Sequence, residues 1–300
     1  MVQFKTVTLG DKSWVDEIVM NENSPSADYN FGNIYIWDKH YRQLICRCGD
    51  RMLTKLRYGG KPTFVFPVGS GPLRPAIEAI REFAAFKGYP MTLRGITEKH
   101  MLMLEEEYPG RFEYTEDVEC ADYIYPAGKL ATYSGRALHG KKNHCNRFEA
   151  EHDWSFVPLT RELIPDCLDM LNMWTETNLD RLDPSIHLEH DAIIRAFAVY
   201  EKLGLEGGAL LSGGKVMGFS IGEMASRDTF DVHFEKADIS INGAYPMVCR
   251  EMTRLAMSRH SELRYINRED DMGLESLRIS KLSYKPEYLL KKYTARMKDE

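Results

Sequence analysis

The sequence predicts an α+β protein with α/β layers, made of two domains of similar design. Three observations lead to this prediction. The 300 residues exceed the common size of one domain and agree with two of about 150 residues. No low-complexity segment or Pro/Gly-rich linker divides the chain, so any two domains are joined without a flexible tether. The order of predicted elements also repeats, because in each half helices precede an antiparallel meander that leads into a helix, a strand, a helix and a strand.

The elements of the first half are predicted from turn signals and periodicity. Gly49-Asp50 and Gly59-Gly60 separate strand-like runs and favour hairpins. Gly88 ends a run in which apolar residues recur at helical spacing. The predicted helices are 11–22, 28–40, 73–87 and 98–108; the predicted strands are 43–48, 51–58, 63–67, 91–96 and one or two within 111–125.

The second half gives the same order. Its predicted helices are 159–177, 191–203, 245–260 and 274–281, and its predicted strands are 207–212, 215–225, 229–236, 264–268 and 288–297. This order resembles the GNAT (acetyltransferase-type) fold. We therefore expect two tandem GNAT-like domains, residues 1–152 and 153–300, each a mixed, mostly antiparallel sheet flanked by helices.

Composition and charge narrow the class of protein. The 39 basic and 45 acidic residues give a net charge of −6, which argues against duplex DNA as a binding partner. No apolar run approaches the ~18–20 residues that span a bilayer, and the N-terminus does not resemble a signal peptide. The six cysteines are few and mostly scattered, as expected for reduced thiols. We expect a cytoplasmic protein.

A helix predicted over residues 128–151 joins the two halves. On one face it carries Arg136, His139, Asn143 and Arg147, and residues 136–147 contain four basic residues and no acid. Such a face is either a solvated surface or an anion site for phosphates or an RNA acceptor stem, and we expect it to line a groove. The histidines and cysteine of this helix do not share a face, so no zinc site is predicted.

The last hundred residues hold three polar stretches, 234–245, 266–273 and 277–286. Gly243 near a helix start would let backbone N–H groups approach an anion. Residues 267–271 are all polar and follow a short apolar strand, where ligands of layered α/β sheets usually bind; helix capping is the alternative. Lys281 and Lys285 fit a phosphate site or an ordinary solvated surface equally well.

Common catalytic motifs are absent from the sequence. It contains no Walker loop, GxGxxG, GxSxG, HExxH or CxxC pattern, so hydrolase, kinase and dehydrogenase interpretations lose support.

Three stretches carry a family resemblance: residues 129–148, 234–245 and 265–286, the last reading YINREDDMGLESLRISKLSYKP. They resemble bacterial proteins of the phosphatidylglycerol lysyltransferase C-terminal family, which is related to lysyl-phosphatidylglycerol synthases and Fem peptidyltransferases. The resemblance implies a transferase that takes an aminoacyl group from charged tRNA to an amine or hydroxyl. Residues 241–245 correspond to the loop that binds coenzyme A in acetyltransferases. This loop contains only one glycine here, which favours an aminoacyl ester over acetyl-CoA as donor.

The resemblance and the chemistry of acyl transfer together assign candidate roles. Glu269 is the candidate general base or the carboxylate that holds the aminoacyl ammonium, Arg268 or Asn267 would donate to the oxyanion, and Tyr284 would return a proton. The candidate carrier- and phosphate-binding residues are Arg136, His139, Lys141, Asn143, Arg147, Lys236, Gly243, Tyr245, Arg278 and Lys281. We expect Asn267, Arg268, Glu269, Lys236, Lys281 and Tyr284 to converge on one polar cleft.

The expected co-substrate is aminoacyl-tRNA or a coenzyme A thioester, with no metal and no firmly bound cofactor. The acceptor is a small molecule, a peptide or a lipid headgroup. Two alternatives stay open: an acyl-CoA-dependent N-acyltransferase, and a non-catalytic tandem GNAT module that binds a ligand without turnover.

Overall fold

The structure, a computed structural model, describes residues 1–178 and 185–298. The strands are β1 (Lys5–Thr6), β2 (Leu44–Cys48), β3 (Arg51–Tyr58), β4 (Lys61–Gly69), β5 (Thr92–Ile96), β6 (Phe112–Glu116), β7 (Asp122–Pro126), β8 (Trp154–Pro158), β9 (Glu206–Ser212), β10 (Lys215–Met224), β11 (Thr229–Ala237), β12 (Tyr265–Asn267), β13 (Tyr288–Leu290) and β14 (Tyr293–Met297). The α-helices are α1 (Lys12–Glu22), α2 (Phe31–Ile36), α3 (Asp38–Tyr41), α4 (Leu73–Lys87), α5 (Glu98–Glu107), α6 (Ala127–Thr132), α7 (His139–Glu151), α8 (Ile164–Asn178), α9 (Ser185–Ala198), α10 (Tyr200–Leu203), α11 (Ala244–Arg259) and α12 (Glu275–Ser283).

Two compact units divide the chain. The first comprises residues 1–122, 270–274 and 289–300, and the second comprises 123–269 and 275–288. This division differs from the expected boundary at residue 152. The segment from Tyr123 to the end of α7 lies in the second unit, and the C-terminal strand β14 lies in the first, so the chain returns to the first unit at its end.

The sheet of the first unit has the order β1-β2-β3-β4-β5-β14-β6. β4 and β5 run parallel, and β14 pairs antiparallel with both β5 and β6. The single strand predicted over 288–297 is therefore two strands in different sheets, and the same is true of the region 111–125. Local periodicity does not reveal such an exchange, because each short strand satisfies its backbone hydrogen bonds with a distant partner.

A buried carboxylate ties α1 to α5 in this unit. Glu22, which is 6% exposed, accepts hydrogen bonds from Lys99, His100 and the backbone N–H of Gly69. Burial alone would raise the pKa of Glu22, but these hydrogen bonds outweigh it and lower the pKa to about 2 from 4.5. The carboxylate thus stabilises the folded state in its charged form.

This low pKa of Glu22 predicts an acid-sensitive first unit. Because the folded-state pKa lies below the unfolded value, the contribution is complete above about pH 4.5 and is lost as the pH falls towards 2. The difference corresponds to roughly 3 kcal/mol of unfolding free energy. Urea titrations from pH 6 to 2.5 should show a shallower pH dependence in Glu22→Gln than in wild type. Substitution of the exposed Glu17 on the same helix should leave the slope unchanged; equal slopes for wild type and Glu22→Gln would contradict the prediction.

The sheet of the second unit has the order β13-β7-β12-β11-β10-β9-β8. β12 lies between β11, to which it is parallel, and β7, to which it is antiparallel, so this short strand is an interior strand of the sheet. β8 was not predicted from the sequence. The core packs α11 against the sheet through side chains that include Met247, Val248 and Phe230.

The joining segment is not one continuous helix. α6 ends at Thr132 and is followed by its C-cap Tyr133, which has a left-handed φ of 45°. Gly135, with φ of 90°, precedes a short 3-10 turn and α7. Tyr133 is 1% exposed and donates a hydrogen bond to the Pro246 carbonyl, which holds the break against α11. No helix among the described residues is both long and apolar enough to cross a membrane.

Candidate functional site

The candidate site lies where β12 ends beside β11. Asp231 of β11 is opposite Asn267, the last residue of β12, and β11 continues to Ala237. The β10–β11 register shifts here, so that His233 has no opposite residue on β10. Such bulges redirect side chains and are frequent beside active sites. Gly222 of β10 permits the backbone of β11 to approach closely, because a Cβ at this position would lie 1.9 Å from the Asp231 carbonyl oxygen.

A cluster of cations and aromatic rings occupies one side of this position. Arg268 Nη2 donates to Glu235 Oε1 at 2.8 Å, and the Arg268 Cζ lies 4.5 Å from the ring centroid of Tyr284. Lys141, which comes from α7, places its Nζ 3.8 Å from the same centroid. Tyr284 is 3% exposed. We call Lys141, Glu235, Arg268, Lys281 and Tyr284 the cationic cluster.

Lys281 connects α12 to the end of β12. Its Nζ donates to the carbonyl oxygen of Arg268, and its own carbonyl accepts a hydrogen bond of 2.8 Å from the Tyr125 hydroxyl. The ammonium also lies 5.7 Å from the ring of Tyr123. These contacts fix the helix that carries Tyr284 at its C-terminal end, and they hold the backbone from which Arg268 projects.

The electrostatics of the cationic cluster favour an anion. Burial raises the pKa of Glu235, although Arg268, Lys281, Lys141 and Lys236 all oppose the shift. Burial lowers the pKa of Lys141, and the charge of Arg268 lowers it further. Among the described residues, Arg268 Nη1 is buried without a hydrogen-bond partner. A buried donor without a partner is costly, so the cluster is suited to a ligand that brings an oxygen acceptor and negative charge.

Lys236 and Tyr245 lie beside a separate cavity. Lys236 Nζ donates to Glu189 Oε2 at 2.7 Å and lies 3.9 Å from the ring of Trp174, whose indole N–H donates to the Tyr245 hydroxyl at 2.9 Å. Trp174 also lines a cavity of about 380 Å³. Its other lining residues are Asp166, Asp169, Met170, Met173, Thr177, Gly214, Lys215, Val216, Met217, Asp238 and Ile239. No sequence pattern predicted this cavity.

Three acidic side chains surround His233 and form a second polar cluster. Glu269 Oε1 lies 3.0 Å from His233 Nδ1, Glu223 Oε1 lies 3.0 Å from Nε2, and Asp231 Oδ2 lies 3.5 Å from Nδ1. Burial of His233 opposes its protonation, but Asp231 and the hydrogen bonds to Glu223 and Glu269 raise its pKa well above the usual value. We call these four residues the His233 cluster.

The loop after β12 is shaped to present Glu269. Asn267, which is fully buried, accepts the backbone N–H of Glu269 through its side-chain oxygen at 2.7 Å. Glu269 has a left-handed φ of 54°, and its side chain is 23% exposed. The N–H of Arg268 is bonded to the carbonyl of Tyr123. Asn267 therefore positions the loop, and Arg268 and Glu269 point to the two different clusters.

Four expected phosphate-binding residues lie elsewhere. Arg136, His139, Asn143 and Arg147 are exposed, and Arg147 pairs with Glu151, so the expected groove along this stripe is not formed. The reason is that Cys145 and Phe148 occupy the buried face of α7. Lys141 lies four residues before Cys145 and shares that face, which brings it alone of these α7 candidates to Tyr284.

Gly243 and Arg278 complete the predicted set. Gly243 precedes α11 with φ of 92°, and a Cβ there would lie 2.5 Å from the carbonyl oxygen of His144, so it permits α7 to approach closely. Arg278 is half-buried on α12. His233, Glu223 and Asp231 were missed by the sequence analysis. For the residues on β11 a signal was available, since acidic and histidine side chains at 231, 233 and 235 alternate with apolar residues at 230, 232 and 234.

The fold is of the tandem GNAT-like class. A tandem GNAT protein from the clavulanic acid biosynthesis pathway aligns over 100% of both chains with a TM-score of 0.50 and 10% identity. The model of the family described as "Phosphatidylglycerol lysyltransferase, C-terminal" matches residues 22–296, and the chain belongs to this family. Family and fold together support an aminoacyltransferase-like function.

Two further structures and one curated protein are similar. A conserved protein of unknown function from Bacteroides thetaiotaomicron is 35% identical, with a TM-score of 0.94 over 99% of this chain and 100% of that chain. L-PGS from Bacillus licheniformis is 16% identical, with a TM-score of 0.68 over 99% and 93%. An uncharacterised protein of Mycoplasmoides gallisepticum is 28% identical over 179 residues, which is 59% of this chain and 56% of the length of that curated relative.

Proposed function

We propose that this protein transfers an aminoacyl group from aminoacyl-tRNA to an amine or hydroxyl acceptor, and that the cationic cluster and Glu269 form its active site. The observation that carries the proposal is the meeting of Arg268 and Lys141, both half-buried, at the buried ring of Tyr284. Arg268 also pairs with Glu235, and its buried Nη1 has no hydrogen-bond partner among the described residues. Family membership supplies the reaction class.

The cationic cluster provides the donors that acyl transfer needs. The acceptor attacks the ester carbonyl carbon, and the bond from that carbon to the ribose oxygen of the carrier breaks. Arg268 Nη1 donates to the oxyanion that develops on the carbonyl. Burial raises the pKa of Tyr284 well above its usual value, so its hydroxyl keeps a proton that it can give to the departing ribose oxygen.

Glu269 provides the negative end of the proposed site. Its carboxylate takes the proton that the acceptor loses, or holds the ammonium of the aminoacyl group. His233 Nδ1 lies 3.0 Å from one carboxylate oxygen and so orients Glu269. The side chain stays partly exposed, so it is accessible to solvent and substrate. A site with cations on one side and carboxylates on the other matches a substrate that carries phosphate and an amine.

The exposed surface of α7 and of the 3-10 turn before it gives the carrier a place to bind. Arg136, Lys142 and Arg147 are exposed, and the interval from 136 to 147 contains no acidic residue. Exposed cations are what an RNA backbone requires, and Arg147 would exchange its exposed partner Glu151 for a phosphate. The acylated end of the carrier would then reach Tyr284 along the side of α7 that carries Lys141.

Filter binding of charged and uncharged tRNA tests the carrier. We expect the double variant Arg136→Glu/Arg147→Glu to bind charged tRNA at least 10-fold more weakly and with a smaller salt dependence, because phosphate contacts are lost. Arg161→Glu, which reverses one exposed charge elsewhere in the second unit, is the control and should bind as wild type. Equal binding by the double variant would reject α7 as the RNA surface.

Turnover separates the proposal from its two alternatives. Labelled aminoacyl-tRNA incubated with candidate amines should yield an aminoacylated product with wild-type protein. A thermal shift with coenzyme A and transfer from acyl-CoA, without binding of tRNA, would instead identify an acyl-CoA-dependent N-acyltransferase. Tight binding of either carrier without product from any acceptor would identify a non-catalytic module.

A further inference from the structure

The His233 cluster combines the side chains that bind transition-metal ions. Asp231, His233 and Glu269 each offer one ligand atom, and these atoms lie within 4.8 Å of one another. Asp231 is fully buried and the His233 side chain is 1% exposed, whereas the Glu269 side chain is 23% exposed. The three residues come from the bulged part of β11 and from the loop after β12, so the backbone of the sheet fixes two of them.

We propose that Asp231, His233 and Glu269 form a binding site for one divalent transition-metal ion. His233 Nδ1 lies 3.0 Å from Glu269 Oε1 and 3.5 Å from Asp231 Oδ2. Atoms that each lie about 2.1 Å from one ion are about 3.0–3.5 Å apart when the angles between them are those of octahedral or tetrahedral coordination. Two of the three distances thus already match those between neighbouring ligands of one ion, and the third, between the Asp231 and Glu269 oxygens, is at most 4.8 Å.

Glu223 provides the outer partner that a metal-bound histidine needs. Its Oε1 lies 3.0 Å from His233 Nε2, the ring nitrogen that faces away from Asp231 and Glu269. A carboxylate on the far nitrogen keeps a proton there and raises the basicity of the ring. The ion therefore replaces the proton on Nδ1, which is released to solvent. One imidazole nitrogen and two carboxylate oxygens favour Zn²⁺ or Mn²⁺ over Mg²⁺ and Ca²⁺, which prefer oxygen ligands alone.

The metal site departs from the expectation of no metal that the sequence suggested. It is compatible with the role of Glu269 proposed above, because a carboxylate has two oxygens and ligation through Oε1 leaves the second for substrate. Metal binding can be measured without tRNA, acyl donor or acceptor. Its failure would therefore leave the proposed transfer reaction untouched, and failure of transfer would leave the metal site untouched.

Equilibrium dialysis of chelator-treated protein against Zn²⁺ and, separately, Mn²⁺ tests the site. We expect the wild-type protein to bind one ion per chain. Glu269→Gln and Asp231→Asn should each weaken the affinity for that ion at least 10-fold. Glu223→Gln, which removes only the outer partner, should weaken binding 10- to 100-fold. His260→Gln is the matched control, because His260 also pairs with a carboxylate, Glu206, at 2.6 Å, and it should bind as wild type.

Location of the ion completes the test. Anomalous diffraction at the metal absorption edge should place the ion among Asp231, His233 and Glu269. Circular dichroism will show whether each variant folds, and the partly exposed Glu269 gives an interpretable variant if those at buried Asp231 do not fold. No bound ion, an ion at another place, or unchanged affinity in folded Glu269→Gln would each overturn the proposal.

Discussion

Replacement of Arg268 by methionine is expected to reduce aminoacyl transfer at least 100-fold. The guanidinium supplies the buried Nη1 donor, and loss of one oxyanion donor typically costs a factor of 10²–10³ in rate. The same change leaves Glu235 buried without its 2.8 Å partner. Removal of one member of a buried ion pair lowers the unfolding free energy by about 3–5 kcal/mol. Urea unfolding and a transfer assay on the same preparation measure both effects.

Two further variants separate the catalytic loss from the structural one. In Arg268→Met/Glu235→Gln no unpaired charge is buried, so most of the stability should return while transfer stays low. Arg250 is also buried and ion-paired, to Glu149 and Glu251. Arg250→Met should therefore destabilise the protein similarly without the 100-fold loss of transfer at a temperature where the variant is folded. Recovery of transfer in the double variant would show that Arg268 acts only through folding.

Local patterns were enough to predict most elements and part of the candidate site. α1, α4 and β3 have clear starts and stops, and their observed bounds agree with the predicted ones within one residue. The polar run after β12 was expected to be functional, and Arg268 does meet Lys141 and Tyr284 in one cluster. This part was predictable because the chemistry is concentrated in one short segment that follows an interior strand.

The rest depends on contacts that no local pattern contains. The bulge at His233 arises from pairing between β10 and β11, and it brings Glu223 to a histidine ten residues away. The exposure of Arg136 and the partial burial of Lys141 follow from the break before α7 and from the packing of Phe148. Both outcomes are set by tertiary packing, which overrides the spacing of residues along a single helix or strand.

Lys292 is the second position where we expect a large effect, because it holds the C-terminal segment in the first unit. It is 2% exposed, and its Nζ lies 2.7 Å from Asp122 Oδ1 and 3.1 Å from Asp28 Oδ2. Asp122, which is 1% exposed, also accepts the backbone N–H of Ala27. The ammonium thus joins the loop before β14 to the start of β7 and to the turn before α2.

Lys292→Met should lower the unfolding free energy of the first unit by about 3–5 kcal/mol, because Asp122 is left buried without its cation. Burial opposes the charge on Lys292, but Asp122 and Asp28 raise its pKa well above 10.5. A raised folded-state pKa means that this contribution is complete below about pH 10.5 and is lost only above it. The difference between wild type and variant should therefore stay constant from pH 6 to 9 in urea titrations. Lys291→Met removes the adjacent, exposed lysine and should change stability little; a similar loss in both variants would refute the role assigned to Lys292.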